Sequence, residues 1–239
     1  MSERTIHDNQ TLIAFWDRVF AIPEEEKEAV LQEGVGPWEA LAPAKKLLDA
    51  ACALGAGKNV LDLGCGNGWA SIAAAKNGCP IITAADPAPN AVETVRLLAK
   101  LFGVSDRVHP VCGGMDWLKN VPSETFDGLI CSNVLDVIPP ETAAEIIRET
   151  ARIVTPDAAV LIAVNAHLTP EAAAEKGVEL TADKTVYIDG VLRLVSRTDA
   201  EWAVLFAPFF TAESLTYFAW PGEDEEKRRL FRLRKRQTV

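Results

Sequence analysis

Short apolar runs alternate with segments of helical periodicity through the middle of the chain. Strand-length apolar runs lie at 60–63, 80–85, 107–112, 126–131 and 158–164. Apolar residues recur at helical spacing over 69–77, 90–102 and 140–153. Strands that alternate with amphipathic helices are typical of a parallel sheet covered on both faces. The pattern therefore predicts an α/β fold with a doubly wound, mostly parallel sheet.

The segments before and after this core predict further elements. Before it, helices are expected at 11–20, capped by Asp8 or Asn9, and at 24–33 and 43–53. After it, a helix capped by Thr169 is expected over 167–180, and a β-hairpin over 186–195 turns through Asp189-Gly190. Thr198 caps a further helix that ends at Phe206. The segment 113–118 is expected to be a loop.

Two more strands are expected at the C-terminal end, over 214–220 and within 227–236. The second of these segments carries seven basic residues, which invites a nucleic-acid interpretation. The apolar Leu230, Phe231 and Leu233 within it favour instead a solvated, antiparallel edge strand guarded by charge. With these two strands the predicted sheet has seven strands.

The densest cluster of chemical features follows the first strand, at Asp62, Gly64, Gly66 and Gly68. Glycines here bring the backbone around tightly and leave no Cβ in the way of a ligand. Because a helix begins directly afterwards, a ligand is expected to meet free backbone N–H groups. The spacing differs from the G-x-G-x-x-G of dinucleotide sites, and the Asp62 carboxylate would repel a pyrophosphate. A zwitterionic amino-acid ligand, with Asp62 beside its ammonium, is favoured.

The stretch 61–68 resembles the first motif of class I S-adenosylmethionine-dependent methyltransferases, a strand followed by D-x-G-x-G-x-G. The resemblance covers 42–165 with recognisable motifs and implies a Rossmann-like sheet. It also implies S-adenosylmethionine as the methyl donor and S-adenosylhomocysteine as the product. We expect a single methyltransferase domain over 1–239, made of an N-terminal helical lid (1–42), a cofactor-binding core (43–165), an inserted helix and hairpin (166–197) and a C-terminal helix with strands (198–239).

By the same resemblance, several strand-end loops converge on the cofactor. Asp86 is expected to accept hydrogen bonds from both ribose hydroxyls, unless it only caps the next helix, and Pro87 stiffens that loop. Asp116 is expected to accept from the adenine amino group, with Met115 and Trp117 against the ring, although Trp117 is equally suited to anchor its loop. The expected cofactor-binding residues are Asp62, Gly64, Cys65, Gly66, Asn67, Gly68, Asp86, Pro87, Met115, Asp116, Trp117, Ser132 and Asn133.

The loop after the fourth strand has the sequence Ser-Asn-Val-Leu at 132–135. This loop indicates which class of molecule accepts the methyl group. Methyltransferases of nucleic-acid amines carry N-P-P-Y or a close relative there, so this loop resembles that of small-molecule methyltransferases instead. A backbone carbonyl near Ser132 or Asn133 would meet the methionine ammonium. Asp136 is a candidate to orient or deprotonate the acceptor, or else to cap the helix that begins at Pro140.

Acceptor contacts are expected from the two segments outside the minimal pattern. Trp16, Phe20 and Trp38 are pocket candidates from the N-terminal lid, unless these rings only dock helices on the core. Tyr187 and Arg193 are candidates from the hairpin. The alternative for the hairpin is a surface position with no binding role.

Composition and charge narrow the function further. The net charge of −10 argues against a general nucleic-acid or anionic-membrane surface, and no apolar run reaches membrane-spanning length. We expect no secretory signal, and five cysteines without a C-x-x-C pair indicate reduced thiols and a cytoplasmic protein. The histidines are scattered, so no metal site is expected, and His167 is a weak candidate base.

Methyl transfer from S-adenosylmethionine to a small-molecule acceptor, by in-line displacement, is the favoured function. The alternatives are a nicotinamide-dependent oxidoreductase and a non-catalytic S-adenosylmethionine-binding module. The sequence does not determine the methylated atom (oxygen, nitrogen, sulfur or carbon) or the oligomeric state.

Overall fold

The computed structural model describes residues 2–236. Its helices are α1 (Glu3–Val19), α2 (Glu24–Glu33), α3 (Lys45–Ala53), α4 (Trp69–Lys76), α5 (Pro89–Leu101), α6 (Met115–Asn120), α7 (Pro140–Ile153), α8 (Pro170–Glu175) and α9 (Asp199–Phe206). Its strands are β1 (Val60–Leu63), β2 (Ile82–Asp86), β3 (Val108–Cys112), β4 (Phe126–Ser132), β5 (Val154–Val164), β6 (Thr185–Ile188), β7 (Val191–Val195), β8 (Phe210–Phe218) and β9 (Arg228–Lys235). None of the helices in the described range combines the length and apolarity that a bilayer crossing demands.

Seven strands form one sheet in the order β3-β2-β1-β4-β5-β9-β8. The strands β1 to β5 run parallel, and β9 and β8 complete the sheet as antiparallel strands. Val60 of β1 pairs with Ile82 of β2 on one side and with Gly128 of β4 on the other. The winding direction reverses between β1 and β4, which places ligand sites at the carboxyl ends of these strands. The predicted doubly wound, mostly parallel, seven-stranded sheet is confirmed.

Alternate residues of the central strand enter the two layers that cover the sheet. Leu61 and Leu63 of β1 lie in the layer that contains α7 and α9, whereas Val60 lies in the layer that contains α3, α4 and α5. Leu61 is completely buried, as is Trp202 of α9 in the same layer. Burial of a large apolar side chain stabilises the fold by about 1.5–3 kcal/mol. Both layers therefore hold β1, and the turn that follows it, in place.

The predicted hairpin is present as a separate two-stranded sheet of β6 and β7. The chain reverses through Asp189 and Gly190, whose φ values of 50° and 76° fit a type I′ turn. The hairpin packs on α1, where the Tyr187 hydroxyl donates to Asp8 Oδ2 at 2.9 Å. The inserted segment is thereby joined to the N-terminal helix.

The expectation of a solvated edge strand within 227–236 is wrong. The strand β9 lies between β5 and β8, with Leu230 buried in one layer and Phe231 and Leu233 buried in the other. Arg234 pairs with Glu213 of β8. A strand that is apolar on both faces has to be covered on both, so β8 and not β9 is the edge strand of the sheet. The strand β8 starts earlier than expected, at Phe210.

The start of α1 also differs from the prediction. Ser2 Oγ accepts a hydrogen bond from Thr5 N at 3.2 Å, which makes Ser2 the N-cap. Neither Asp8 nor Asn9 caps this helix, because both lie inside it. The local serine cap extends α1 by two turns beyond the expected start.

Three further boundaries differ because backbone conformation or pairing decides them. The helix α8 is shorter than the predicted 167–180, and Gly177 with a φ of 64° follows its end. The expected loop at 113–118 contains the start of α6. The strand β5 begins at Val154, before the expected start at 158, because Val154 already pairs with Phe126.

The start of α9 offers a local test of helix capping. Thr198 Oγ1 accepts from Glu201 N at 3.2 Å, and Glu201 Oε2 accepts from Thr198 N at 2.8 Å. Thr198→Ala should lower the free energy of unfolding by about 1 kcal/mol, because the Glu201 N–H loses its partner. Urea titration of the matched Thr198→Ser variant should give a value close to that of the wild type. Equal stability of the alanine variant and the wild type would contradict the role of this cap.

Candidate functional site

A cavity of about 400 Å³ opens at the carboxyl edge of the sheet, near the ends of β1, β2 and β4. Helix α1 forms one side, and the segments after the three strands form the other. Its size is that of small-molecule and cofactor sites. The residues that line it are Leu12, Ile13, Trp16, Phe20, Leu41, Pro43, Gly64, Cys65, Gly66, Asn67, Trp69, Asp86, Pro87, Ala88, Ser132, Asn133, Val134, Val137, Ile138 and Trp220.

Three glycines shape the turn after β1. Gly64, Gly66 and Gly68 have φ values of 68°, 53° and 75°. A Cβ on Gly64 would overlap Val134 Cγ2, and one on Gly66 would lie 2.8 Å from Phe20 Cζ. Bare backbone therefore lies against these two side chains at the cavity wall. Gly68 lies outside the wall, at the N-cap of α4.

The backbone N–H groups of this turn are engaged within the protein. Gly64 N and Cys65 N both donate to Ala85 O of β2, at 2.8 and 3.2 Å. Gly66 N donates to Asp86 Oδ2 at 3.0 Å. The expectation that a ligand meets free N–H groups is wrong at these three positions. At these positions the turn lets neighbouring groups approach the backbone closely, and it offers no free hydrogen-bond donors.

Asp62 is buried beneath the start of α4 and does not line the cavity. Its Oδ2 accepts from Ser71 N at 3.1 Å and from Ser71 Oγ at 2.7 Å. Burial raises the pKa of Asp62 to about 6, against the two Ser71 hydrogen bonds and with a smaller contribution from the Asp86 charge. Only Oδ2 is engaged by Ser71, and the expected contact of Asp62 with a ligand ammonium stays a prediction. The Asp62 carboxylate already accepts from the Ser71 N–H, and a pyrophosphate bound at this helix N-terminus would need that donor.

Asp86, at the end of β2, brings a carboxylate to the cavity wall. Its Oδ2 accepts from Gly66 N at 3.0 Å and its Oδ1 from Ala88 N at 2.9 Å. Burial raises the pKa of Asp86, and these two hydrogen bonds oppose the increase. The alternative that Asp86 only caps the next helix is wrong, because Ala88 is the N-cap residue of α5. Each carboxylate oxygen retains acceptor capacity for a ligand hydroxyl.

The segment after β4 brings Ser132 and Asn133 to the wall. Asn133 has a φ of 57°, a conformation that asparagine tolerates better than most residues. Its Nδ2 donates to Asn165 Oδ1 at 3.1 Å, and Arg228 donates to the same oxygen. The Arg228 guanidinium carbon also lies 3.3 Å from the ring centroid of Trp220, another wall residue. This network fixes the Asn133 amide with its Oδ1 on the Ser132 side.

Asp136 is completely buried and lies outside the cavity wall. Its Oδ2 accepts from Asn165 N at 2.7 Å, and its Oδ1 has no hydrogen-bond partner within residues 2–236. Burial raises the pKa of Asp136, against the Asn165 hydrogen bonds and the Arg229 charge. The expected capping role is wrong, because Pro139 is the N-cap of α7 and no side chain caps it. The carboxylate supports the segment after β4 through its bond from Asn165 N, and its proposed role toward an acceptor stays a prediction.

Two of the predicted acceptor contacts line the cavity, Trp16 on α1 and Phe20 at the C-cap of this helix. Their rings stack at 5.7 Å with 25° between the planes. Trp38 does not line the cavity and packs against the layer that contains α3 and α4. His167 is exposed and is also absent from the wall, so the structure does not place this candidate base beside the site.

The hairpin candidates face α1 rather than the cavity. The Arg193 guanidinium carbon lies 4.2 Å from the ring centroid of Phe15 and 5.5 Å from that of Trp16. Tyr187 donates to Asp8 of the same helix. Neither Tyr187 nor Arg193 lines the cavity, so the expected direct contacts are replaced by support of α1 from behind. A role in acceptor binding would be indirect.

Met115, Asp116 and Trp117 lie beside the cavity and not in its wall. Met115 and Trp117 pack against the core, and Asp116 is exposed. A Cβ on Gly114 would lie 3.6 Å from Pro87 Cβ, so this segment adjoins the wall at Pro87. The role of these three residues at an adenine ring stays a prediction.

Several wall residues were not predicted from the sequence. Leu12 precedes Trp16 by one helical turn on α1, so the helical pattern did carry a signal for it. Trp69 and Trp220 carried no such signal, because they come together only through the tertiary fold. The unpredicted wall residues are Leu12, Ile13, Leu41, Pro43, Trp69, Ala88, Val134, Val137, Ile138 and Trp220.

A second depression, of about 580 Å³, lies at the opposite edge of the sheet. Its cationic side chains are already engaged: Arg152 donates to Val121 O at 2.7 Å, and Lys235 donates to Val154 O at 2.8 Å. No group of three or more His, Cys, Asp or Glu side chains suited to a metal ion occurs in the part of the chain that the structure describes. The cavity at the carboxyl edge is therefore the candidate site.

Residues 60–157 match the family model described as a methyltransferase domain. The ubiquinone biosynthesis O-methyltransferase of Neisseria meningitidis is 34% identical over 104 residues, which cover 44% of this chain and 42% of that protein. Its counterpart from Xanthomonas oryzae is 38% identical over 103 residues, which cover 42% and 40%. The chain thus spans less than half the length of these curated relatives.

A solved structure from Burkholderia thailandensis has the same fold. This protein, 1,6-didemethyltoxoflavin-N1-methyltransferase with bound 1,6-didemethyltoxoflavin and S-adenosylhomocysteine, aligns with a TM-score of 0.61 and 19% identity, over 91% of this chain and 92% of that one. The seven-stranded sheet and its strand order agree with the fold of class I S-adenosylmethionine-dependent methyltransferases that this likeness indicates. Residues 60–157 thus match the methyltransferase-domain family, in agreement with the resemblance carried by the glycine motif.

S-adenosylmethionine, the cofactor that this family and fold imply, fits the residues present. Gly64 and Gly66 lie in the cavity wall, where the missing Cβ atoms let Val134 and Phe20 pack closely on the turn. Asp86 offers carboxylate oxygens suited to a ribose diol. Trp220 Nε1 is buried and has no hydrogen-bond partner among the described residues, which leaves one donor at the wall for a ligand acceptor.

The buried carboxylate of Asp62 predicts a distinct pH dependence of stability. The pKa of Asp62 is about 6 in the folded chain. Its folded-state pKa is raised, so the penalty for burying its charge is present above pH 6 and is relieved as the pH falls. Asp62→Asn keeps an acceptor for Ser71 and has no such penalty. The unfolding free energy of the wild type relative to this variant should therefore increase by about 2 kcal/mol between about pH 7 and about pH 4.

Urea unfolding across this pH range measures the difference. Asp106→Asn, at an exposed position, is the matched control and should show a nearly constant difference from the wild type. A constant difference for Asp62→Asn as well would contradict the assigned burial of the Asp62 charge.

Proposed function

We propose that the protein transfers a methyl group from S-adenosylmethionine to a small-molecule acceptor. The observation that carries the proposal is the apolar cavity in which a strand-end carboxylate, Asp86, and the bare turn at Gly64 and Gly66 meet helix α1. The match of residues 60–157 to the methyltransferase-domain family supports the same chemistry. The names of the curated relatives favour oxygen as the methylated atom.

The residues at the wall suggest how the cofactor is held. Asp86 would accept from the ribose hydroxyls, with Pro87 and Ala88 beside it. The turn at Gly64 and Gly66 would lie against the rest of the molecule. The Asn133 amide, fixed by Asn165, would present its oxygen to a donor such as the methionine ammonium.

The remaining wall residues would position the acceptor. S-adenosylmethionine, when bound, supplies an electrophilic methyl carbon on a positively charged sulfur. Leu12 and Trp16 of α1, with Val137 opposite, would orient the acceptor and exclude water from it. We propose that residues 1–42 act as the lid, since α1 forms one side of the cavity. A cytoplasmic location is part of the proposal and is supported by five free thiols.

The electrostatics of the site disfavour a nicotinamide dinucleotide. A pyrophosphate would approach the carboxylates of Asp62 and Asp86, and the described cavity wall contains no Lys or Arg side chain to offset their charges. The first turn of α4 is already hydrogen-bonded by Asn67 and Asp62. A cofactor with a sulfonium and an ammonium group suits such a wall better.

Substitution of Asp86 tests the cofactor site. Asp86→Ala should weaken S-adenosylmethionine binding about tenfold or more, because two charge-assisted hydrogen bonds to the ribose are lost. Isothermal titration calorimetry measures the dissociation constant. Asp106→Ala, an exposed aspartate outside the cavity, is the matched control and should bind as the wild type does. Unchanged affinity of a folded Asp86→Ala variant would remove Asp86 from the site.

The function as a whole is tested with the wild-type protein. S-adenosylmethionine and S-adenosylhomocysteine should raise its melting temperature, and NAD should not. A labelled methyl group should pass from the donor into a metabolite in a cell extract, identified by mass spectrometry. A melting shift with NAD alone would favour the oxidoreductase, and cofactor binding without any labelled product would favour a non-catalytic module.

A further inference from the structure

We propose that Asn165 sets the direction of the Asn133 amide, so that the oxygen of this amide and not its nitrogen faces the cavity. Asn165 is in turn oriented by the opposite charges of Asp136 and Arg228. The inference rests on the proposed function and deepens it, because it names the residues that position a contact to the amino-acid end of the cofactor. Asp136, Asn165 and Arg228 do not line the cavity, so they are positioning residues.

The Asn133 side chain reaches the cavity wall with the nitrogen of its amide engaged. Its Nδ2 donates to Asn165 Oδ1 at 3.1 Å. Within residues 2–236 its Oδ1 accepts only from Ser132 Oγ, at 3.3 Å, and an amide oxygen has the capacity for two such bonds. The main chain is also held, because Asn133 N donates to Ala163 O at 2.8 Å. The oxygen is therefore the end of the amide that has capacity left for a ligand.

The direction of an amide is decided by its partners, since its oxygen and nitrogen are nearly equal in size. Asn133 bonds to Asn165 Oδ1, so the Asn133 nitrogen has to point there. If Asn165 were reversed, its own nitrogen would face Asn133, and Asn133 would turn its oxygen to Asn165 and its nitrogen to the cavity. A ligand ammonium would then meet a donor instead of an acceptor. The direction of Asn133 thus depends on that of Asn165.

Arg228 of β9 determines which atom of the Asn165 amide lies on its side. A guanidinium carries donors only, and Arg228 donates to Asn165 Oδ1. The guanidinium is itself fixed, by an ion pair with Glu223 at 2.7 Å and by its position 3.3 Å from the Trp220 ring centroid. A reversed Asn165 would place donors against donors, at a cost in free energy. The oxygen of Asn165 is therefore held on the Arg228 side.

Asp136 determines the other side of the same amide. Its buried carboxylate accepts from Asn165 N at 2.7 Å through Oδ2. Burial raises the pKa of Asp136, and the main chain and side chain of Asn165 oppose this increase. An amide lowers the pKa of a carboxyl group with its donor end, so the Asn165 nitrogen lies on the Asp136 side. Asp136 Oδ1 has no hydrogen-bond partner among the described residues, which leaves acceptor capacity for this nitrogen.

The main chain of Asn165 keeps the residue in place between these charges. Asn165 follows β5 directly, and its carbonyl oxygen accepts from Arg229 Nε at 3.1 Å. Arg229 is buried and also donates to Arg197 O at 2.7 Å. Both main-chain polar groups of Asn165 are thus bonded, and its side chain connects the segment after β4 to β9. The strand β9 thereby influences a cavity that none of its residues lines.

An amide oxygen fixed in this way selects the ammonium end of an amino acid. It accepts a charge-assisted hydrogen bond from an ammonium group, whereas it would repel a carboxylate. Because the direction of the Asn133 amide is set before the ligand binds, the contact needs no ordering of this side chain on binding. The amino group of the cofactor should therefore contribute to affinity, and this contribution should depend on Asn165.

Isothermal titration calorimetry with three ligands tests the proposal. The ligands are S-adenosylhomocysteine, the same compound without its amino group, and methylthioadenosine, which lacks the whole amino-acid portion. Asn165→Leu is similar in size and removes both ends of the amide, so that Asn133 is free to reverse. Its affinity for S-adenosylhomocysteine should fall about tenfold, and its affinity for the other two ligands should equal that of the wild type. Asn120→Leu, at an exposed position outside the wall, is the matched control and should bind all three ligands as the wild type does.

Two further comparisons separate positioning from a general structural role. Asn133→Ala should also lower the affinity for S-adenosylhomocysteine about tenfold, and the addition of Asn165→Leu should cause no further loss. Arg228→Lys keeps a cation that only donates and should bind nearly as the wild type does, whereas Arg228→Leu should lose the contribution of the amino group. A structural defect would weaken binding of the ligands with and without the amino group alike. The two Arg228 variants provide the readout if Asn165→Leu does not fold.

The outcomes separate this inference from the proposed function. Equal losses for S-adenosylhomocysteine and its counterpart without the amino group would overturn the inference, as would additive losses in the double variant. Wild-type affinity of a folded Asn165→Leu variant, or equal binding by Arg228→Leu and Arg228→Lys, would also overturn it. In each of these cases the cofactor assignment stands, because the wild type binds S-adenosylhomocysteine. A wild-type protein that binds none of the three ligands would instead remove the proposed function, and this inference with it.

Discussion

The buried carboxylate of Asp86 is the contact on which the candidate site depends. It accepts from Gly66 N and from Ala88 N and so joins the turn after β1 to the loop after β2. A buried carboxylate is costly unless it is hydrogen-bonded, and these two bonds make its position tolerable. The two loops follow adjacent strands, and this side chain holds them together alongside the hydrogen bonds from Gly64 N and Cys65 N to Ala85 O. The width of the cavity between the glycine turn and Pro87 is set in the same way.

The parts of the fold that local sequence determines were predictable. The turn at Gly64 and Gly66 requires positive φ values, and the alternation of apolar strands with amphipathic helices leaves few sheet topologies. The position of β9 was not predictable from its own residues. Its charged side chains suggested an edge, whereas burial of Leu230 and Phe231 in opposite layers places it inside the sheet. That placement depends on which surfaces the rest of the chain leaves uncovered.

The candidate site shows the same division between local and tertiary information. Asp62 and Asp86 both stand near the end of a buried strand, and the sequence does not tell which one reaches the cavity. The structure resolves this through Ser71, which binds Asp62 beneath α4 and leaves Asp86 at the wall. Trp220 was not predictable either, because it follows β8 and reaches the wall only through strand pairing that spans the whole sheet.

Helix α1 links the hairpin to the start of α5. On one flank, Arg193 of the hairpin covers its aromatic rings. On the other, Asp17 accepts from Asn90 N at the start of α5, and Thr94 donates to Phe20 O at 3.0 Å. The helix α5 begins directly after the loop that Asp86 organises. A displacement of α1 would therefore change the positions of wall residues at both ends of the cavity. Tyr187 and Arg193 of the hairpin do not line the cavity, and the hairpin thereby contributes to its shape through α1.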